Sequence, residues 1–506
     1  MKLPRHAFRI YWDAHAWAGI ALAIIVNAMF FTGIFALFRD EIFVWQDPRA
    51  HSVEGCEGAL DEVIASATAA AGFTVRAATV SYLDAGCAPL RVSLSGQDAG
   101  GAAREATLTM DRRAGPPLAP RSVVGTFLFY FHFFYEPRVL GRGGMIAAGL
   151  VGAWMLLVLV TGVLVHLKDL RRQLHQMRAD RGRRVAWSDA HKVLGVMGLP
   201  FQTLMVLTGS IVCLATPIAM LWSQVVFGGD TSLTRAALFD RPAPATPTGE
   251  AVLGWRSLDA LLADAEAAVP GLRPRSIRLR ELGDASAEAT VAGRAPGLFG
   301  DAEVTLSAVD GRVRSVRAPG RERTMRTALR WIYGFHFAWI GGVAARVLYA
   351  LLGLLGCATI LSGSWVWLER RDRERRRRGH RILGKVTVGL GLGIATAVGA
   401  MFAVNRIVPM SAPWHADAEV AAFVLGWLAA LGVGLASDER RGATRVLALT
   451  AALFGLAVSL GPLRTPLHLF GALAHGAHAI VTVELLLLSA AALAGVGAWA
   501  LGRRRG

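Results

Sequence analysis

The chain has 506 residues, 54% of them hydrophobic and 18% charged, with a mean hydropathy of +0.43 and a formal net charge of +17. A soluble protein of this length could bury a large core without long runs almost free of charge, yet such runs recur here. The charge invites a nucleic-acid partner, but the basic residues cluster in 2–9, 168–184, 370–385, 440–445 and 503–505 instead of forming one binding face, so nucleic-acid binding is excluded.

In chain order the apolar runs are 16–38, 145–165, 193–227, 343–367, 386–404, 420–436, 446–463 and 479–501. Most reach the roughly 17–25 residues a helix needs to cross ~30 Å of hydrocarbon; the run from Val420 is the shortest. The first run is long and has no small-residue cleavage site before Arg39, so it is expected to stay as an anchor. The predicted fold class is an α-helical integral membrane protein of about eight transmembrane helices. The basic clusters occupy both termini and alternate loops, which predicts that these face the cytoplasm. Two long segments, about 40–143 and 228–340, then face the opposite side. Cys56 and Cys87 lie in the first of them, where a disulfide is chemically allowed; Cys213 and Cys357 lie in spans and read as packing residues. No CxxC or CxxCH motif occurs, so a thiolate metal site has no support and covalent c-type haem is excluded.

An internal repeat organises the first 370 residues. Asp13-Ala14-His15, Gly19 and Thr32-Gly33 in the first span match Asp189-Ala190-His191, Gly195 and Thr208-Gly209 in the third, and these six matches fall within 21 positions without a gap. Beyond each span comes an alanine-rich helical stretch, 60–71 or 258–269, and then short alternating runs expected as strands: 76–83, 90–94 and 106–110; 275–280, 287–291 and 303–309. Each segment therefore reads as a small α+β domain. An aromatic stretch centred on Phe131-His132-Phe133 or Phe335-His336-Phe337 follows, then a span with Thr161-Gly162 or Ser362-Gly363 and a basic loop. The expected organisation is a first span (1–40), an outer domain (41–120), aromatic stretch, span and basic loop (121–186), and a third span (187–227). A second outer domain (228–322), a second aromatic stretch, span and loop (323–380) and a four-span region (381–506) complete it.

His15 and His191 stand at one end of equivalent spans; His132 and His336 stand at the other. Two repeats about an axis along the membrane normal would bring each equivalent pair together, as a six-coordinate b-type haem needs. A lone interfacial histidine is ordinarily just hydrogen-bonded; two pairs present in both halves point to ligation, and to two haems forming a path across the bilayer. The glycines beside them would let a flat, bulky ring approach. His166 has no counterpart and remains an alternative ligand to His15 or His191. Asp13 and Asp189 either orient ligands or cap helix starts. Arg138 and Arg346, each followed by Val-Leu, are candidates for neutralising haem propionates or for plain interfacial anchors. His415, His468, His475 and His478 read as ordinary loop histidines.

These motifs resemble the PepSY-associated transmembrane family. The matching pieces include the His15 span, the His132 stretch, Thr161 to Lys168, Trp187-Ser-Asp-Ala-His191-Lys-Val-Leu-Gly195, and Phe335-His336 leading into Leu348 to Gly353. The resemblance implies outer domains like PepSY domains and a haem-containing reductase in a bacterial inner membrane, with those domains periplasmic. It also implies a ferric siderophore or other Fe(III) chelate as substrate, with iron released as Fe(II), and keeps His166 as a candidate ligand. No dinucleotide or Walker motif is present, so the electron donor is expected to be a cytoplasmic reductase or quinol. The alternatives are a siderophore or iron transporter and a PepSY-type peptide-binding scaffold. No substrate-binding or catalytic residues can be named from the sequence.

Overall fold

The structure, a computed structural model, describes residues 4–48, 58–82, 89–119, 121–135, 140–166, 177–178, 180, 182–239, 246–252, 254–297, 299–320, 324–372 and 378–503. Cys56, Cys87 and Arg138 lie outside the described residues. The chain divides into two compact units, one of Met1–Gln46, Ser122–Pro217 and Phe335–Gly506, the other of Asp47–Arg121 and Ile218–Gly334.

In chain order the helices begin with α1 (Arg5–Ala36), α2 (Arg39–Trp45), α3 (Leu60–Ala71), α4 (Val124–His132), α5 (Gly141–His166) and α6 (Arg183–Phe227). Then follow α7 (Thr231–Phe239), α8 (Leu258–Ala268), α9 (Thr324–His336), α10 (Gly342–Asp372) and α11 (Arg378–Val386). The last are α12 (Gly393–Ile407), α13 (His415–Ala436), α14 (Glu439–Ser459), α15 (Leu469–Ala474) and α16 (His478–Arg503). Eight helices among the described residues are long and apolar enough to cross a membrane; seven contain their expected run and the first, ending at Ala36, stops two residues short of it. The chain is a multi-pass membrane protein. Its large exposed side chains fit that solvent: on α5, Leu150, Trp154, Leu157 and Val160 form one outward stripe, which lipid shields and water would not. Pro200 and Pro217 do not interrupt α6, which continues through both.

Between α11 and α12 the chain makes a π-helical segment, Thr387–Leu392. The wider turn frees backbone carbonyls. Leu390 O accepts from Trp427 Nε1 at 3.0 Å and Gly391 O from Asn27 Nδ2 at 2.8 Å, so the segment ties α13 and α1 together. Glycine makes this closeness possible, since a Cβ on Gly389 would sit 2.7 Å from the Leu431 Cα.

The second unit holds β1 (Thr74–Ser81), β2 (Leu90–Gln97), β3 (Ala103–Met110), β4 (Arg273–Arg280), β5 (Glu288–Arg294), β6 (Asp301–Ser307) and β7 (Val313–Arg317). The two inserted segments, expected as separate small domains, instead share one sheet of order β3-β2-β1-β4-β5-β6-β7. The junction is antiparallel pairing of β1 with β4, from Ala77 opposite Arg280 to Ser81 opposite Ser276. Pairing removes two exposed strand edges that separate domains would have left open. One core serves both halves, with Val63 and Ile64 of α3 and Leu258 and Leu261 of α8 packed with Val80, Val92, Ile277 and Val304. The other sheet face is polar. Thr107, Ser93, Thr79, Arg278, Thr290, Thr305 and Ser315 form one row across all seven strands. The strand β7 was not expected from the sequence; five residues carry too short an alternation to stand out.

Candidate functional site

The structure brings the four repeat histidines together in two pairs. The rings of His15 on α1 and His191 on α6 have centroids 6.1 Å apart, and those of His132 on α4 and His336 on α9 are 6.3 Å apart. The pairs sit far apart along the bundle. His15 and Gly33, which touches the His132 ring, are eighteen residues apart on α1, roughly 27 Å of helix. The same spacing separates His191 from Gly209, which touches His336.

Each ring is seated by one device, used four times. A Thr-Gly or Ser-Gly step on the neighbouring helix receives the imidazole edge. A Cβ added to Gly33 would lie 2.7 Å from His132 Cε1, and at Gly162, Gly209 and Gly363 the distances to His15, His336 and His191 are 2.9, 3.0 and 2.8 Å. These glycines were expected to admit a flat cofactor; what they admit is the histidine ring itself. Seating occurs within each repeat and pairing occurs between repeats.

The Nδ1 atoms are anchored at the same steps. His15 Nδ1 meets Val158 O at 2.9 Å, His132 Nδ1 meets Met29 O at 2.7 Å, and His191 Nδ1 meets Thr359 O at 2.9 Å. Each carbonyl belongs to the residue four before the glycine, where the added ring bond finds a spare lone pair. His336 departs from this: its Nδ1 lies 3.0 Å from Thr208 Oγ1, whose own hydrogen goes to Leu204 O at 2.6 Å. In the three carbonyl cases the partner can only accept, so Nδ1 carries the proton and Nε2 keeps its lone pair; with its hydrogen on Leu204 O, the Thr208 hydroxyl is left to accept from His336 in the same way. Among the described residues, none donates to Nε2 of any of the four.

The remaining predicted residues fall elsewhere. His166 ends α5 within electrostatic reach of His15, His191 and Lys192, but the ring that faces His15 is His191. Trp367, near the position matching His166, has the His380 ring edge-on at 5.6 Å. Asp189 does not orient His191. Its carboxylate is engaged by Arg178, through Nε and Nη2 at 2.9 Å, while backbone carbonyls do the orienting. Asp13 is exposed. Arg346 is paired with Glu41 at 2.6 Å and lies over the Phe38 ring, so a carboxylate of the chain already balances its charge. No group of three or more His, Cys, Asp or Glu converges as a chelating cluster among the described residues.

Sequence reasoning missed a buried polar network at the His132 end. His415, expected in a loop, begins α13 and is wholly buried with Glu419. Asn405, Arg406 and Glu484 are buried nearby on α12 and α16. Trp45 Nε1 donates to Glu484 at 2.7 Å, and the Arg406 guanidinium stacks on the Trp45 ring at 3.5 Å. The available signal was a carboxylate inside an apolar run, as Glu484 is.

Comparison with known proteins bears on the same region. The sequence profile of the PepSY-associated TM region matches residues 12–370, which hold all four paired histidines. The chain is also similar to Uncharacterized protein PA4219 of Pseudomonas aeruginosa, with 27% identity over 309 residues, 59% of this chain and 78% of that protein.

Proposed function

This chain belongs to the PepSY-associated transmembrane family, and from that premise we propose that it is a haem-containing reductase. In this reading it carries electrons across a bacterial inner membrane to a ferric siderophore or similar Fe(III) chelate. The observation that supports it is the pair of facing imidazoles at each end of the bundle, every ring held with its Nδ1 proton on an acceptor.

The residues fit b-type haem. Imidazole nitrogen is a good iron ligand, the rings of each pair lie 6.1 and 6.3 Å apart, and the unprotonated Nε2 would be the ligating form. His15 and His191 would hold one group, His132 and His336 the other. When bound, haem supplies a one-electron redox centre at each end.

The chain's own residues perform the rest. Backbone carbonyls fix three tautomers and Thr208 fixes the fourth, and hydrogen bonding of this kind makes imidazole a stronger base toward a metal. Glycine at each seat removes the Cβ that would push the ring away. In this reading the basic termini and alternate loops face the cytoplasm, with the His15 end near a partner reductase or quinol, and the sheet unit faces the periplasm. Reduction there weakens the chelate, because hard oxygen ligands favour the more highly charged ion.

The test is the optical spectrum of detergent-purified protein from haem-replete cells, before and after dithionite, with a pyridine haemochrome count. Two reducible low-spin b-type haems per chain are expected. A colourless protein would overturn the reading.

A further inference from the structure

The family match ends at residue 370, and the four spans beyond it need their own account. One stripe of α13 turns inward against the helix that carries His132. His415, Glu419, Phe423 and Trp427 recur every fourth residue and so share a helix face; the first three are 0%, 0% and 1% exposed.

Opposite them stands α4, only nine residues long and therefore unable to hold its own place. Its N-cap residue, Val123, supplies no side-chain cap. Another span supplies it instead. The Glu419 carboxylate accepts from the Val123 N–H and the Ser122 hydroxyl, both at 2.7 Å, which puts a negative charge at the positive end of the helix. Gln46 Oε1 takes the Gly125 N–H at 2.9 Å. Asn405 Nδ2 and His415 Nε2 hold the carboxylate in turn, at 2.8 and 2.9 Å. One turn along, Phe423 meets Phe127 and Phe131 edge-on at 4.9 and 4.8 Å, and Trp427 meets Phe131 at 5.8 Å. The far end of α4 is His132.

We propose that Glu419, backed by Phe423 and Trp427, is the positioning residue for His132. The C-terminal spans set the depth and rotation of α4, and so the ring that faces His336. Glu419 touches no reacting group; it acts through α4. The redox consequence rests on the haem reading, whereas the clamp itself does not.

The experiment uses full-length protein in detergent, comparing wild type with Glu419→Ala, Glu419→Asp and, as a reference for an empty outer site, His132→Leu. Haem count, the midpoint potential of each haem and amide exchange across 122–132 are measured. For Glu419→Ala we expect on the order of tenfold weaker haem retention at the outer pair, an altered potential for what remains, and an unchanged inner haem. Exchange across 122–132 should rise while that around His15 stays put, and Glu419→Asp should recover part of each effect. Unchanged haem count, potentials and exchange in Glu419→Ala would overturn the proposal even if wild type holds two haems. If wild type is colourless, the haem reading fails and exchange alone decides the clamp: a rise supports it, no change overturns it. Should Glu419→Ala not fold, Phe423→Leu takes its place with the same expected pattern and the same overturning result.

Discussion

α4 and α9 end on His132 and His336, equivalent histidines of the two repeats, yet they are braced by unlike neighbours. α4 leans on membrane spans through a buried carboxylate and a stack of aromatic rings. α9 leans on the sheet unit: Phe299 packs edge-on against Trp331 at 5.0 Å, its carbonyl accepts from Arg330 at 3.2 Å, and Arg326 pairs with Asp301 at 2.7 Å. The seats at the histidines are nearly the same and the supports differ. A seat needs only a glycine step and one acceptor, both supplied by a short local motif. A support depends on whichever element happens to lie behind the helix.

The sharpest way to break the equivalence of the seats is to fill them. Gly33→Ala would place its Cβ 2.7 Å from His132 Cε1 and 2.9 Å from Nδ1, whereas Gly209→Ala comes no closer than 3.0 Å to His336. Haem counts should show the outer group lost from Gly33→Ala and only weakened in Gly209→Ala. Equal retention in both would mean that the rings have freedom this geometry denies them.

The supports separate next. Phe299 is 1% exposed, and Phe299→Ala should destabilise the sheet unit by about 3–5 kcal/mol. Thermal unfolding reads that loss. Amide exchange should rise across 324–334 but not across 122–132, and a rise in both would erase the distinction between the two braces.

A smaller effect tests the one unlike anchor. Thr208→Val removes the acceptor for His336 Nδ1 and should weaken outer haem retention on the order of tenfold, while Thr32→Val leaves His132 its carbonyl and should change little. Dilution-driven haem loss, followed optically, compares them.

The smallest effect at neutral pH concerns the sheet unit alone. Hydrogen bonds from Ser286, and from Thr248, hold the Asp284 carboxyl well below the usual carboxylate range. Asp98, Asp111 and Asp310 shift the same way, led respectively by bonds from the Ala102 backbone, Arg113 and Ser307. A depressed folded-state pKa stabilises above the unfolded value and is lost as pH falls toward the folded one. The sheet unit should therefore weaken as the solution is taken below about pH 4, and Asp284→Asn should flatten that slope in acid titrations of unfolding.

Much of this was legible in sequence because hydropathy and short spacings are local. The eight spans, the Asp-Ala-His repeat and the four equivalent histidines each lie within a stretch of a few dozen residues. Helices α3 and α8 begin where their alanine-rich stretches predicted. Other features were hidden for physical reasons. Joining of β1 to β4 pairs strands nearly two hundred residues apart, and neither strand's alternation names its partner. His415 and Glu419 look like loop and span-edge residues until α4 is brought against them.

Local pattern alone was enough to mark eight runs apolar enough to cross a membrane, the doubling of the first part, and the four equivalent histidines. Tertiary packing was needed to show that His15 meets His191 and not His166, that Asp189 serves Arg178 and not a ligand, and that Glu419 caps a helix almost three hundred residues away. Apolar periodicity records what each segment must hide from water. Which side chains then meet is fixed by packing among distant segments, where glycines, lone pairs and buried charges find partners that no local pattern specifies.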